Sequence, residues 1–300
     1  MLFAGNKNLI QEKKENVNEF DIRSALQSEH YHLHKFLGVN KDLISEEISV
    51  RLWAPNAKSV SLIADFNNWS HSSHPMQKID DQGIWSITLS PRTKSFAYQF
   101  AIQQPNDEIK IINDPFTKET CMLDRYSSFY QTSDFIWDDE EWIKEREHSE
   151  IKDKPLVIKS LNLNVLNEDQ DFDNFQSLAN FVYERATEEN FTHIELENFF
   201  ESIIDLSYSS KFSLNKEAFL FSASSAYGEL NDFKCFINFL HQKGLGVILN
   251  IPFFSNEIIA NYGAFKTLQK PIHENFYLSN IVYWLEELHI DGFNFGPLEQ

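Results

Sequence analysis

Two glutamates, Glu195 and Glu197, stand at i and i+2 in "HIELEN", a spacing that sends both side chains to one face of an extended strand. Paired carboxylates can divide the work of acid and base, so this pair is a candidate for group-transfer chemistry. Its competing role is support of a strand-built core, which is the reading expected here. The histidines offer less. His241 falls on the polar side of a helical pattern, and His71 and His74 lie in a serine-rich loop; none has metal-ligand partners at useful spacing, and all three are expected to be solvated. Cys121 and Cys235 are the only cysteines, too few for a disulfide framework and without metal-ligand spacing. Trp69 in "DFNNW" and Trp85 in "GIWSI" carry indole faces able to pack on a sugar ring, with Trp85 reading as core. The acidic stretch "WDDEEW" is expected to cap and solubilise a linker helix rather than gather convergent oxygens round a cation. No metal and no cofactor is expected.

The elements that must position these residues follow from periodicity. Residues 1–40 are polar and charged, with "NLIQEKKENVNEF" reading as solvated helix or frayed terminus. Between residues 41 and 134, "ISVRLWA", "SVSLIADF", "IWSITL" and "FAYQFAI" alternate with period 2, separated by turn chemistry at "APNAK", "DDQG" and "QPNDE". That pattern predicts an all-β sandwich. Residues 135–154 form a charged linker. From 155 to 300 short apolar strands, "LVIKSLNLNVL", "THIEL", "GVILNI" and "DGFNF", alternate with three helical patterns. The first helix carries Phe175, Leu178, Ala179 and Val182 on one face. The second carries Phe233, Phe236, Ile237 and Leu240, with Asn231 or Asp232 as its cap and Gly244 as its stop. The third carries Leu278, Ile281, Val282 and Leu285. Repeated βα units build either a doubly wound sheet or a (β/α)8 barrel. No glycine-rich phosphate fingerprint follows any strand, which argues against nucleotide binding. The fold class expected is therefore multidomain, a β-sandwich followed by the first half of a TIM-type barrel.

Composition narrows the partners. The 300 residues are 42% hydrophobic and carry 26 Lys plus Arg against 45 Asp plus Glu, a net charge of −19. A chain of this size buries roughly 75% of the surface its unfolded form exposes. Such negative charge repels nucleic-acid backbones and anionic membranes, but not a neutral polar ligand. "MLFAGNKNLI" lacks the basic start and apolar stretch of a secretory signal, and no run reaches the roughly 20 apolar residues that span a bilayer. A soluble protein of the reducing cytoplasm is expected.

One stretch is specific beyond its periodicity. "VRLWAPNAKSVSLIADFNNWSHSSHPMQKIDDQGIWSITL", residues 50–89, resembles the N-terminal sandwich of glycogen (1,4-α-glucan) branching enzymes, a carbohydrate-binding module shared with debranching enzymes. "EHYHLHKFLG", "NDPFTKET" and "WDDEEW" are similar to the same family's flanking pieces. "FTHIELENFFE", "YGELNDFKCFINFLHQKGLGVILNIP" and "YWLEELHIDGFNF" resemble successive units of its α-amylase-type barrel. The resemblance runs in order from about residue 29 to residue 300. It implies retaining glucosyl transfer by a carboxylate nucleophile and a carboxylic acid/base about 5 to 5.5 Å apart, at the C-terminal ends of barrel strands.

At those positions this sequence departs from the family. The fourth strand of such enzymes reads Gly-x-Arg-x-Asp-Ala, whereas "GFNFGP" has Asn294 at the arginine position, Gly296 at the nucleophile and Pro297 at the alanine. The third strand's aspartate falls on Asn250, and the sugar-stacking tyrosine of the preceding segment aligns with Asn215. Glu299, three residues beyond Gly296, has no second carboxylate to pair with. The resemblance thus implies no catalytic residues here, with Asn250, Asn294 and Gly296 as degenerate positions, and it makes Trp69 and Asn68 the candidates for glucan contact. Gln99 and Ile111 stand where binding modules carry a basic residue and a second tryptophan. The function expected is that of a catalytically inactive branching-enzyme relative binding α-glucan (glycogen) or a partner enzyme. The alternatives are a branching-enzyme fragment that needs a second chain, and a decayed gene product without activity. Four barrel strands are expected to leave an edge and a face for a homodimer or partner protein to cover.

Overall fold

The computed structural model describes residues 2–3, 31–42, 44–121, 126–148, 155–163, 174–204, 216–251 and 270–295. A two-residue strand β1 (Leu2–Phe3) precedes the sandwich, whose strands are β2 (Gly38–Lys41), β3 (Ile48–Trp53), β4 (Ser59–Ala64), β5 (Gln77–Lys78), β6 (Ile84–Leu89), β7 (Ser95–Gln103), β8 (Ile109–Ile112), β9 (Glu119–Cys121) and β10 (Ser127–Gln131). One sheet runs β2-β3-β6-β5; the other runs β4-β7-β10-β9, with β8 on β7. Period-2 alternation decides what lies between them. Ile48, Val50 and Leu52 from β3, Val60, Leu62 and Ala64 from β4, and Phe96, Tyr98, Phe100 and Ile102 from β7 form one buried cluster. Trp85 joins it, its indole nitrogen donating to the Ala54 carbonyl at 3.0 Å. In the turn before β6, Gly83 holds φ at +96°, and a Cβ there would stand 2.2 Å from the Pro55 backbone, so only glycine closes it.

After an extended stretch comes α1 (Glu140–His148), then β11 (Ile158–Asn162), α2 (Phe175–Glu189) and β12 (His193–Glu197). An antiparallel hairpin, β13 (Phe200–Ile204) with β14 (Lys216–Ala223), intervenes before α3 (Leu230–Gln242), β15 (Gly246–Ile251), α4 (Lys270–Glu286) and β16 (Gly292–Phe295). The strands β11, β12, β15 and β16 are parallel neighbours in that order. A β-sandwich is thus followed by an α/β region with the form of part of a TIM-type barrel. The hairpin was not expected from the sequence, although Phe219, Leu220 and Phe221 within it are completely buried.

Local chemistry explains the helices. Asn174 caps α2 by accepting from the Ser177 backbone N–H at 2.9 Å, and Phe175, Leu178, Ala179, Val182 and Ala186 are buried along the face the spacing predicts. For α3 the expected stripe is buried, but the cap differs from Asn231 or Asp232: Glu229 is the cap residue, and Asp232 accepts its backbone N–H at 2.9 Å. In α4 the helix is present and its buried face is another one. Asn275, Phe276, Ser279, Asn280, Tyr283 and Trp284 are buried, while Leu278 is 39% exposed. Asn280 Nδ2 and Trp284 Nε1 both donate to the Leu220 carbonyl, and Ser279 Oγ meets His34 Nδ1 at 2.7 Å. With partners supplied by β14 and by the N-terminal segment, polar side chains there cost little to bury, and an apolar stripe no longer marks the inward face.

The stretch expected as solvated helix or frayed terminus, residues 8–20, lies outside the described residues; after it, residues 33–35 form a 3-10 turn with Leu33 and His34 buried. Of the two sheet edges, β11 has β12 as its one strand neighbour among the described residues, while the β16 edge is partly covered. Leu2 and Phe3 pair with it antiparallel, opposite Phe293 and Gly292.

Candidate functional site

Two places could act on a ligand: the sheet face at the C-terminal ends of the parallel strands, and a loop of the sandwich.

On the sheet, side chains alternate between the helix-covered face and its opposite. Ile194, Leu196, Val247, Leu249 and Phe293 join the main core. The opposite face carries Ser160 and Asn162 from β11, Glu195 and Glu197 from β12, Asn250 from β15 and Asn294 from β16. Asn250 and Asn294 are register partners. Both donate from Nδ2 to the same oxygen, Glu195 Oε1, at 2.7 Å each. Glu197 is held separately: Oε1 accepts from Ser160 Oγ at 2.5 Å and Oε2 from Asn162 Nδ2 at 3.3 Å. Asn198 Nδ2 in turn donates to Asn162 Oδ1 at 3.0 Å. A carboxamide can neither attack a carbon nor release a proton, so these asparagines fix Glu195 as an acceptor and supply no chemistry of their own. Gly296, Pro297, Glu299 and Asn215 lie outside the described residues.

In the sandwich, a 3-10 turn at Asp65–Asn67 leads into Asn68 and Trp69, with φ of 52° and 57°. Two successive left-handed residues without glycine are uncommon, and surrounding contacts must hold them. Asn67 provides that hold. Buried itself, its Oδ1 accepts from Ala64 N at 2.9 Å and Ser70 N at 3.3 Å. Its Nδ2 donates to the Leu62 carbonyl and faces His74 Nδ1, both at 3.0 Å. Trp69 N closes the loop on the Ala64 carbonyl at 2.8 Å. Asn68 is exposed and Trp69 half-buried. Phe66 sits 43% exposed beside them, edge-on to His74 and to Phe96. On the outward side of the same sheet Gln99 donates to Asn113 Oδ1 at 3.1 Å and to the Tyr126 carbonyl at 3.2 Å. Ile111 is exposed on β8. Sequence reasoning named Trp69 and Asn68 but missed Asn67, whose anchoring role shows only once the loop is closed.

Several charged groups join the two regions, and here the expectation for His241 fails. His241 is not solvated; its ring is buried between Asp139 and Asp291. "WDDEEW" does more than solubilise a helix, since Asp139 is buried and Trp142 Nε1 donates to Asp291 Oδ1 at 2.9 Å. His34, also buried, lies with Nε2 at 3.0 Å from Glu287 Oε1, and burial lowers its pKa to about 4. Lys118 Nζ reaches the same glutamate at 2.9 Å. Asp114, fully buried beside Tyr98 OH at 2.7 Å, has its pKa raised to about 6 by burial without a counter-charge.

Residues 36–117 match Carbohydrate-binding module 48 (Isoamylase N-terminal domain). The 1,4-alpha-glucan branching enzyme GlgB of Hydrogenovibrio crunogenus is 28% identical over 311 residues, covering 92% of this chain and 41% of that enzyme. GlgB of Clostridium perfringens strain ATCC 13124 is 28% identical over 310 residues, 93% of this chain and 46% of the enzyme. The chain therefore spans less than half the length of the curated relatives it matches. Among solved structures, a pullulanase from Paenibacillus barengoltzii shares the fold with a TM-score of 0.62 at 18% identity, covering 92% of this chain and 50% of that one. The Group B Streptococcus pullulanase SAP does so with a TM-score of 0.63 at 16% identity, 86% and 42% covered. Among the described residues no helix is long and apolar enough to cross a membrane. Along most of its length the sequence is similar to 1,4-alpha-glucan branching enzymes, residues 36–117 match carbohydrate-binding module 48, and the fold is shared with the two pullulanases.

Proposed function

We propose that this protein is a non-catalytic relative of the branching enzymes that binds α-glucan through its sandwich, with Trp69 and Asn68 in contact with sugar. The observation that carries the non-catalytic half is the bonding of Asn250 and Asn294 to one oxygen of Glu195. Retaining transfer needs a free nucleophilic carboxylate and a second one as acid. Here both carboxylates on this face are tied down, Glu195 by the amides of Asn250 and Asn294 and Glu197 by the Ser160 hydroxyl and the Asn162 amide. The binding half is supported by the anchored loop that leaves Asn68 exposed and Trp69 half-exposed, within the stretch matching a carbohydrate-binding module. Asn250, Asn294 and Gly296 are accordingly positions from which catalytic groups have been lost, and no cofactor or metal is required.

The second reading, part of a branching enzyme completed by another chain, is favoured by 28% identity across 92% of the sequence. Against it, Leu2–Phe3 occupy the β16 edge at which a further parallel strand would have to add.

Affinity electrophoresis through gels with and without glycogen tests the proposal. Retardation by glycogen that disappears in Trp69→Ala, with no iodine-stain shift when the protein is incubated with amylose, is expected. Unretarded migration would remove the glucan reading, and an iodine-stain shift on adding a chain that supplies the remaining βα units would establish the second.

A further inference from the structure

Residues 135–148 join the sandwich to the parallel sheet, and their side chains meet the starts of β15 and β16 in a buried cluster. Trp137 stacks on His289 with ring centroids 3.9 Å apart, and Trp142 stacks on His241 at 5.2 Å. Asp139 Oδ2 lies 2.7 Å from His241 Nδ1 and 2.9 Å from His289 Nδ1. Asp291 Oδ2 lies 3.1 Å from His241 Nε2 and accepts the Val247 backbone N–H at 2.6 Å. Its other oxygen takes Trp142 Nε1 and, at 3.0 Å, Arg146 Nη1, which also donates to the His289 and Ile290 carbonyls.

Both ring nitrogens of a completely buried histidine therefore face carboxylate oxygens. A neutral imidazole has one N–H, so one of its nitrogens would meet a carboxylate lone pair to lone pair; only the imidazolium donates to both. Charge balance favours the same: Arg146 matches Asp291, and of the two histidines on Asp139 only His241 also reaches Asp291, so its proton serves both carboxylates where an uncompensated buried charge is strongly destabilising. The indole face of Trp142 further favours a cation.

We propose that the His241 imidazolium pins a pH-sensitive latch that fastens the connector, residues 135–148, to the amino-terminal ends of β15 and β16. Burial opposes charge on His241, but Asp291 and Asp139 outweigh it and raise its pKa above 6.5. Burial likewise opposes ionisation of Asp291, yet His241 and Arg146 bring it down to about 2, and the two histidines hold Asp139 below its usual range. His193, on β12, faces the same group and is itself lowered by burial. The raised histidine contributes its full stability below pH 6.5 and loses it as pH climbs through the raised value. The depressed aspartates contribute above 3.8 and lose it as pH falls through their lowered values. The latch is closed across the neutral range, opens on the alkaline side through His241, and opens again in strong acid.

The test is a titration of the wild-type protein from pH 5 to 10. Histidine side-chain nitrogens are followed by NMR, with His241 identified by the peak lost in His241→Gln, and amide-exchange protection of residues 135–148 is measured alongside. His241 is expected to keep both ring protons above pH 6.5 and to lose one on the alkaline side, with connector protection falling at least tenfold through the same range. Asp139→Asn should move that midpoint down. A neutral His241 at pH 7, or protection unchanged while His241 loses its proton, overturns the proposal.

Discussion

The sheet face and the sandwich loop both gather asparagines around a fixed backbone, yet they spend their polar groups in opposite ways. On the sheet, Asn250 and Asn294 turn to Glu195, and Ser160 and Asn162 turn to Glu197, so the donors and acceptors close on one another. In the loop one asparagine, Asn67, takes the side-chain hydrogen bonds that anchor the turn, and its neighbours stand at the surface, Asn68 exposed and Trp69 half-buried. A polar cluster that satisfies itself rigidifies a fold. One that anchors a loop while exposing the next residues can meet a ligand. Residue types alone do not separate these cases; the direction of the hydrogen bonds does.

Removing the shared acceptor should separate the two regions most strongly. Glu195→Ala leaves two half-buried amide donors unpaired; fully buried orphans at about 1–3 kcal/mol each would cost about 2–6 kcal/mol together, and half-burial sets the expected loss in urea unfolding at about 2–4 kcal/mol. Glycogen retardation should survive it. A loss under 0.5 kcal/mol would show that the sheet face is not internally tied.

Burial without a counter-charge gives the next effect. With its pKa raised to about 6 from 3.8, Asp114 disfavours the folded state as pH rises from about 4 to 6, because the unfolded chain releases that proton first. Asp114→Asn should remove this slope, on the order of 2–3 kcal/mol between those pH values. Thermal midpoints of both proteins across the range measure it. Parallel curves for the two would refute the assignment.

Asn294→Asp places a second carboxylate beside Glu195. Like charges at hydrogen-bond distance cannot both ionise cheaply, so a loss of about 1–3 kcal/mol is expected at pH 7, recovered as pH falls and one proton is shared. A variant equally stable at pH 5 and 7 would mean that Glu195 and residue 294 do not interact.

The smallest stability change expected is in the loop. Asn67→Ala should cost about 1–2 kcal/mol, in the range of lost buried hydrogen bonds, and yet abolish glycogen retardation by releasing Asn68 and Trp69. Retained binding with Asn67 gone would separate the loop's geometry from its ligand.

Much of this was written locally. Strands β3, β4, β6 and β7 follow from period-2 alternation. The buried faces of α2 and α3 follow from i, i+3, i+4 spacing, and the parallel order of βα units follows from their succession. The resemblance carried by "DFNNW" and its neighbours pointed to the sandwich, and Asn250 and Asn294 stood out as departures before their bonding was visible. Other features depended on residues far apart in the chain. The inward face of α4 was decided by Leu220 and His34, which give Asn280, Trp284 and Ser279 their partners. His241 looked like a surface histidine because Asp139 and Asp291 are 102 and 50 positions away.

The β16 edge turned on pairing with residues 2 and 3, which no periodicity announces. Hydrophobic repeat is a property of neighbouring side chains, so the sequence by itself determined which segments become strands and helices and what they resemble. A buried polar group is tolerable only beside a complementary one, and which groups meet is settled when distant segments pack. Only the tertiary structure, therefore, made Glu195 a clamped acceptor, Asn67 an anchor and His241 the centre of a charged cluster.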